Sequence, residues 1–186
     1  MKTKKVHYVL GLCCLMSNLV FGSDYVIDKE GQHAYVIFKA SHLGYSYIIG
    51  HFENFEGKFT YDSDNPTGST VSVRIDAKSL DSDHAERDKH LRGPDYFNVK
   101  KYPTITFEST AFTGDKNTGK LAGNLSLHGV TKLIVLDVIQ IGEGKDPWGG
   151  YRSGFQGKVT LDAKKFGFPA RIGDVEVELI VEGIRQ

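Results

Sequence analysis

Near the C-terminus, Val175, Val177, Leu179 and Val181 fall at every second position, while Asp174, Glu176, Glu178 and Glu182 take the alternate parity. A helix, repeating about every 3.6 residues, would scatter these two sets around its circumference; a strand turns successive side chains to opposite faces and sorts them. The segment is therefore a strand with one wet face and one buried face, and it needs both a sheet partner and an apolar layer beneath it.

The same period recurs at Val71, Val73 and Ile75, and again at Ile105, Phe107, Ser109 and Ala111 against Thr104, Thr106, Glu108 and Thr110. Further strands are expected over 34–40, 51–61, 121–128, 132–142 and 153–162. Turn signals separate them: Asp64-Asn65-Pro66, Gly114 to Gly119, Gly129, and Gly142 to Gly150. Such short connections make hairpins, so the sheet is antiparallel. The predicted fold is all-β, an eight-stranded antiparallel barrel, because closure removes edges that would otherwise aggregate. Eight strands leave an interior just wide enough for side chains or one slender ligand. Two stretches break the pattern. The charged residues 83–92 predict a short exposed helix ended at Gly93-Pro94, and 163–168 predict another turn of helix.

At the N-terminus, Lys2, Lys4 and Lys5 precede an apolar run from Val9 to Phe21, the layout of a secretory signal peptide. The run is shorter than the roughly 20 residues of a spanning helix. Val20-Phe21-Gly22 suits cleavage, so residues 1–22 are expected to be removed and 23–186 to form one barrel domain in the periplasm. Cys13 and Cys14 leave with the signal, so stability must come from the core. A lipoprotein signal at Cys13 would want a small residue where Leu12 stands. Cleavage lowers Lys+Arg from 23 to 20 against 23 Asp+Glu, a net charge of −3 that gives no reason to bind nucleic acid.

Chemical motifs dissolve on inspection. Gly114 to Lys120 has P-loop spacing, but Leu121 stands where magnesium chemistry needs Ser or Thr, and the string joins two strands. Gly150-Tyr151-Arg152-Ser153-Gly154 misplaces the first glycine of a hydrolase elbow. Asp62 and Asp64 begin like a calcium loop that Pro66 and Val73 then spoil, and Asn124-Leu125-Ser126 falls in an expected strand. His84 and His90, six apart, face different sides of a helix, so no metal and no cofactor are expected. The aromatics between Tyr35 and Tyr61 either fill the core or line a cavity; collectively they favour a cavity.

Four stretches carry a resemblance: HLGYSYIIGHFENFEGKF at 42–59, HAERDKHLRGPDYFNVKKYPTITFES at 84–109, GNLSLHGVTK at 123–132 and DPWGGYRSGF at 146–155. Together they resemble the YceI-like family over essentially the whole chain after residue 22, in the family's order, and most closely its exported branch. The resemblance implies a lipocalin-like barrel, often dimeric, whose long apolar tunnel holds a polyisoprenoid, isoprenoid quinone or fatty-acyl chain. It implies a carrier with no established catalysis, and exported members are associated with stress responses. Transient contact with a membrane is consistent with such a cargo. Gly93-Pro94 departs from the expected pattern and leaves the end of the short helix open.

Apolar lining is expected from Phe38, Leu43, Tyr45, Phe52, Phe59 and Phe107. His84, Arg87, His90 and Arg92 offer donors for a lipid headgroup; alternatively Arg87 braces the barrel mouth through ion pairs with Asp88 or Glu86. Two rival functions stay open: an enzyme acting on the lipid with His84, Glu86 or His90 as acid and base, and a ligand-free interaction module with a filled interior.

Overall fold

The computed structural model describes residues 22–186, so the expected signal peptide, but for Gly22, lies outside the described residues. The alternating C-terminal segment is a strand at Asp174–Arg185, and its neighbours explain the alternation. In chain order the strands are β1 (Ser23–Ile27), β2 (Tyr35–His42), β3 (Ser46–Phe52), β4 (Phe55–Tyr61), β5 (Thr70–Asp76), β6 (Leu80–Asp81), β7 (Thr104–Gly114), β8 (Thr118–Leu127), β9 (Val130–Lys145), β10 (Tyr151–Asp162) and β11 (Asp174–Arg185), with one helix, α1 (Ala85–Leu91).

Along one edge β11 pairs continuously with β10, from Asp162↔Asp174 to Arg152↔Ile184. Its other edge meets two short partners: β2, with Val175↔Ala40, and β1, with Arg185↔Tyr25. β1 and β2 are thus one barrel strand interrupted between Asp28 and Ala34. In the same way β3 and β4 are one strand broken at Glu53-Asn54, and β5 and β6 are one strand broken by a turn at Ala77–Ser79. Eleven segments therefore build a closed, antiparallel barrel of eight strands, as the sequence predicts.

The last two breaks lie side by side. The buried Ser79 side chain accepts the Asn54 N–H at 2.9 Å, the Ser79 carbonyl accepts the Glu53 N–H at 3.0 Å, and the Asn54 carbonyl accepts the Asp76 N–H at 2.9 Å. Backbone groups freed by the interruptions thereby satisfy one another, which lets the sheet bend without orphaned polar atoms. The expected strand at 51–61 is accordingly two strands, and the helix spans 85–91 within the predicted 83–92.

One end of the barrel carries hairpins and both ends of the described chain. There the P-loop-like string is a tight turn in which the Asp115 carboxylate accepts the N–H groups of Asn117 and Thr118 at 2.7 and 2.9 Å. The other end is capped by α1, by residues 92–103 and by the turns at 163–172. Val99, Phe166 and Phe168 of this cap are buried, as is Leu80 of β6.

Candidate functional site

Below the cap, the barrel holds a cavity of about 150 Å³ with no polar atom in its surface. Inward residues of the strands, among them Val36, Phe38, Phe52 and Leu161, form its wall, and Phe97 and Phe168 of the cap close over it. Toward the hairpin end a second cavity of about 50 Å³ is lined by Phe59, Tyr61, Phe112, Leu121 and Phe155, with the Gln140 side chain at its edge. The continuous tunnel expected from the sequence is therefore two separate cavities, one toward each end of the barrel.

Two features of the wall govern the space between them. Several phenyl rings lie flat over glycines of neighbouring strands: Phe38 over Gly50, Phe107 over Gly123, Phe112 over Gly119 and Phe59 over Gly183, each so close that a methyl group on the glycine would overlap the ring. On the inward face of β10, Leu161 lines the larger cavity and Phe155 the smaller, and between them stand Val159 and Gly157, the latter with no side chain. In the lining of the smaller cavity Phe155 meets Phe59 and Tyr61 edge-on, with ring centres 5.5 and 4.9 Å apart.

The expected lining residues divide. Phe38 and Phe52 line the larger cavity and Phe59 the smaller, while Phe107 packs in the core against Gly123 and lines neither. Leu43 and Tyr45, also expected in the lining, are instead outside the barrel, 76% and 89% exposed. They belong to the three-residue turn joining β2 to β3, in which Leu43 and Gly44 both take left-handed φ values of 54° and 78°. Such a turn carries its side chains away from the interior, so the density of aromatics between Tyr35 and Tyr61 does not translate into lining at these two positions.

The headgroup candidates are drawn together by α1 but engage the protein. His84 caps the helix, its Nδ1 accepting the Arg87 N–H at 3.2 Å. Arg87 donates through Nε to the Ser82 hydroxyl at 2.7 Å and through its terminal nitrogen to the Ser82 carbonyl. The Ser82 hydroxyl in turn donates to Asp88, which also accepts the Ser82 N–H at 3.0 Å. Arg92 donates to the Leu80 carbonyl. The charged segment thus nails α1 to β6 through Ser82 and Leu80, and Arg87 braces through that serine instead of pairing directly with Asp88 or Glu86. Glu86 reaches Lys89 at 3.8 Å, and His90 lies exposed with its ring 5.1 Å from that of Tyr96. Burial pushes the Asp88 carboxyl up, but its two bonds from Ser82 outweigh this and hold it below the usual carboxylate range.

Sequence reasoning missed a second cluster, on the outer face where the first barrel strand breaks. Arg152 reaches Asp28 at 2.5 Å, Glu182 at 2.5 Å and Asp146 at 2.9 Å, with the Trp148 ring 5.2 Å away. Asp146 also accepts the N–H groups of Trp148 and Gly150, closing the β9–β10 hairpin. The conspicuous 146–155 segment thereby ties that hairpin to β11 and to the loop after β1. His33 approaches Asp28 and Glu182 at 3.6 and 3.7 Å, a grouping that could hold a cation, but the Arg152 guanidinium already supplies the positive charge there.

Arg152 and the Gly31 N–H hold the Asp28 carboxyl below its ordinary value of 3.8. Unfolded, this group and Asp88 titrate near 3.8. Their depressed folded values therefore contribute stability that is complete above about pH 5 and lost as the pH falls below about 4. The melting temperature is expected to be level between about pH 5 and 8 and to drop below about 4, with a shallower drop in Asp28→Asn, as scanning calorimetry across pH would show.

Comparison with known proteins agrees with this architecture. The UPF0312 protein of Azotobacter vinelandii is 53% identical over 185 residues, covering 95% of each chain. The crystal structure of Burkholderia cenocepacia BcnA superposes with a TM-score of 0.75 at 19% identity, over 84% of this chain and 98% of that one. A polyisoprenoid binding domain from Saccharophagus degradans gives 0.64 at 15% identity, over 87% and 98%. The model of the YceI-like domain matches residues 25–183, from the first buried tyrosine of β1 to the glycine of β11 beneath Phe59. With the barrel, the cap and nearly every described residue inside that match, the chain belongs to the YceI-like family.

Proposed function

We propose that the protein is exported to the periplasm and there binds, stores or transports a long apolar lipid, of the polyisoprenoid, isoprenoid-quinone or fatty-acyl type, in a stress response. The observation that carries this reading is the larger cavity, whose surface holds no polar atom. A site of that character has nothing with which to recognise a sugar, a nucleotide or a peptide, and binds by excluding water. The polyisoprenoid-binding description of the Saccharophagus domain, which shares the fold, supports the same class of cargo.

Size refines the proposal. An apolar cavity of about 150 Å³ accommodates a benzene-sized group, about one isoprene unit. A longer chain continues past Gly157 toward the smaller cavity by turning the Phe59 and Phe155 rings aside. Each buried methylene gains roughly 0.8 kcal/mol against water but almost nothing against a bilayer, whose interior is equally apolar. That near-balance suits a carrier, because cargo held too tightly could not be handed on. His84, Glu86 and His90 lie outside the lining of both cavities, which favours carriage over catalysis on the lipid.

Protein purified from its natural host without detergent is expected to release one family of lipids on organic extraction, and native mass spectrometry to show the same mass on the folded chain. Recovery of no lipid, together with no uptake of added quinone or polyprenol, would sink the reading.

A further inference from the structure

Leu43 is doubly out of place. Its left-handed φ of 54° is a conformation that favours Gly or Asn, and its side chain is 76% exposed. Stability alone gives no reason to keep a leucine there, and such local conflicts concentrate at functional positions. Beyond it stand Tyr45 and Tyr47, also exposed. This turn is at the capped end: Ala40, three residues before Leu43, lines the larger cavity, and β2 pairs there with Val175, another lining residue.

Two of the segments bordering the same cavity are basic, although the chain after residue 22 is net acidic. Residues 96–104 contain Lys100 and Lys101 and no acid; residues 161–173 contain Lys164, Lys165 and Arg171 against Asp162 alone; residues 40–46 contain no Lys, Arg, Asp or Glu. All five cations are exposed. Contacts weld these segments together: Arg171 donates to the Tyr96 hydroxyl at 3.0 Å, the Tyr102 ring lies 4.7 Å from that of His128, and His128 Nδ1 is 3.0 Å from the Phe166 carbonyl oxygen. A further bordering segment, α1 with its flanks at 81–95, reaches the cavity through Leu91 and carries Arg87, Lys89 and Arg92 against Asp81, Asp83, Glu86, Asp88 and Asp95, so the excess of cations is confined to the side formed by 96–104 and 161–173.

We propose that the capped end docks on an anionic lipid bilayer, Leu43 and Tyr45 entering the headgroup layer while Lys100, Lys101, Lys164, Lys165 and Arg171 face the phosphates. An exposed apolar tip flanked by cations fits a surface that is anionic outside and apolar beneath. A second copy of this chain fits less well, since joining two such ends would oppose like charges. The surface stands on exposed residues alone, but its purpose rests on the lipid-binding reading: it places the capped end, under which the larger cavity lies, against the source of its cargo.

Co-sedimentation with vesicles tests this, using protein purified as the cell processes it. Vesicles of phosphatidylethanolamine with phosphatidylglycerol are expected to capture the protein, less so as salt rises, and phosphatidylcholine vesicles to capture little. Leu43→Asn should weaken capture about tenfold with an unchanged or higher melting temperature, because asparagine suits the left-handed turn. Lys100→Glu combined with Lys164→Glu should also weaken it at least tenfold, since each cation near an anionic surface contributes about fivefold. Equal capture of both variants and the parent, no capture by phosphatidylglycerol vesicles, or a dimer in solution that Leu43→Asn dissociates would each overturn the proposal. Lipid extracted from the same preparations separates the two readings. Cargo present without vesicle capture removes the docking surface alone; capture that depends on Leu43 and the lysines, without cargo, removes the carrier and leaves the docking.

Discussion

Arg152→Met is expected to lower the unfolding free energy by about 3 kcal/mol, equivalent to a fall in melting temperature of roughly 10 °C for a domain of this size. Methionine keeps the stem of the side chain and removes only the charge and the fork of donors. What remains is a group of carboxylates with nothing to neutralise them: Asp28 and Asp146, whose side chains are only 7% and 6% exposed, and Glu182. Breaking a buried ion pair from one side costs about 3–5 kcal/mol, and the lower end applies because Arg152 keeps some contact with water. Acid distinguishes this account from simple loss of packing. In the parent, Arg152 keeps the Asp28 carboxyl depressed, so acid destabilises. In Arg152→Met the largest cause of that depression is gone and only the Gly31 N–H and His33 work against burial and mutual repulsion, so acid removes less stability from the variant and the gap between the two proteins should narrow toward about pH 4. Arg152→Lys should recover only part of the loss, since an ammonium cannot bridge three carboxylates as a planar fork does. A deficit below about 1 kcal/mol, or one independent of pH, would mean that water already screens the cluster.

Much of the barrel was legible because most strands present one face to water and one to the interior, and the alternation of β5, β7 and β11 records that directly. β1 was harder. Tyr25 and Ile27 point inward and are buried, but the outward residue between them is Val26, nearly half exposed, so apolar residues occupy both parities and the period vanishes. The breaks at Glu53-Asn54 and Ala77–Ser79 were invisible because each is satisfied by the other across the sheet, through Ser79, and neither has a cause within its own segment. The charged segment announced itself by composition, yet its role turned on a carbonyl. Arg87 and Arg92 could have met a headgroup until the fold placed the Ser82 and Leu80 carbonyls within reach. Leu43 and Tyr45 were misplaced because they sit in a stretch dense in aromatics, which suggests lining, whereas Leu43, Gly44 and Tyr45 form the turn between β2 and β3. The wall glycines gave no signal at all, since what a glycine leaves open depends on the side chains opposite it.

Gly157 makes that last point testable and bears most directly on function. A methyl group there would stand 3.3 Å from Leu136 Cδ2 and 3.9 Å from Leu179 Cδ1, so alanine fits with a shift of a few tenths of an ångström in a flexible leucine. The three further carbons of a leucine would extend inward beside Val159, on the stretch between Leu161 at the larger cavity and Phe155 at the smaller. Gly157→Leu is therefore expected to fold, since the new side chain occupies space instead of displacing the wall, and to cost less than the roughly 1–3 kcal/mol of overpacking a filled core. A chain that must stop at the waist loses every methylene beyond it. Expelling only three costs about 2.4 kcal/mol, roughly a 50-fold weaker affinity, while Gly157→Ala should bind nearly as the parent does. Titration with a long-chain quinone, set beside one with a short-chain analogue that ends before the waist, reads the difference: Gly157→Leu should lose the long ligand and keep the short one. Equal loss of both would mean that the substitution has damaged the larger cavity itself, and equal retention that cargo never passes Gly157 and is held entirely beneath the cap.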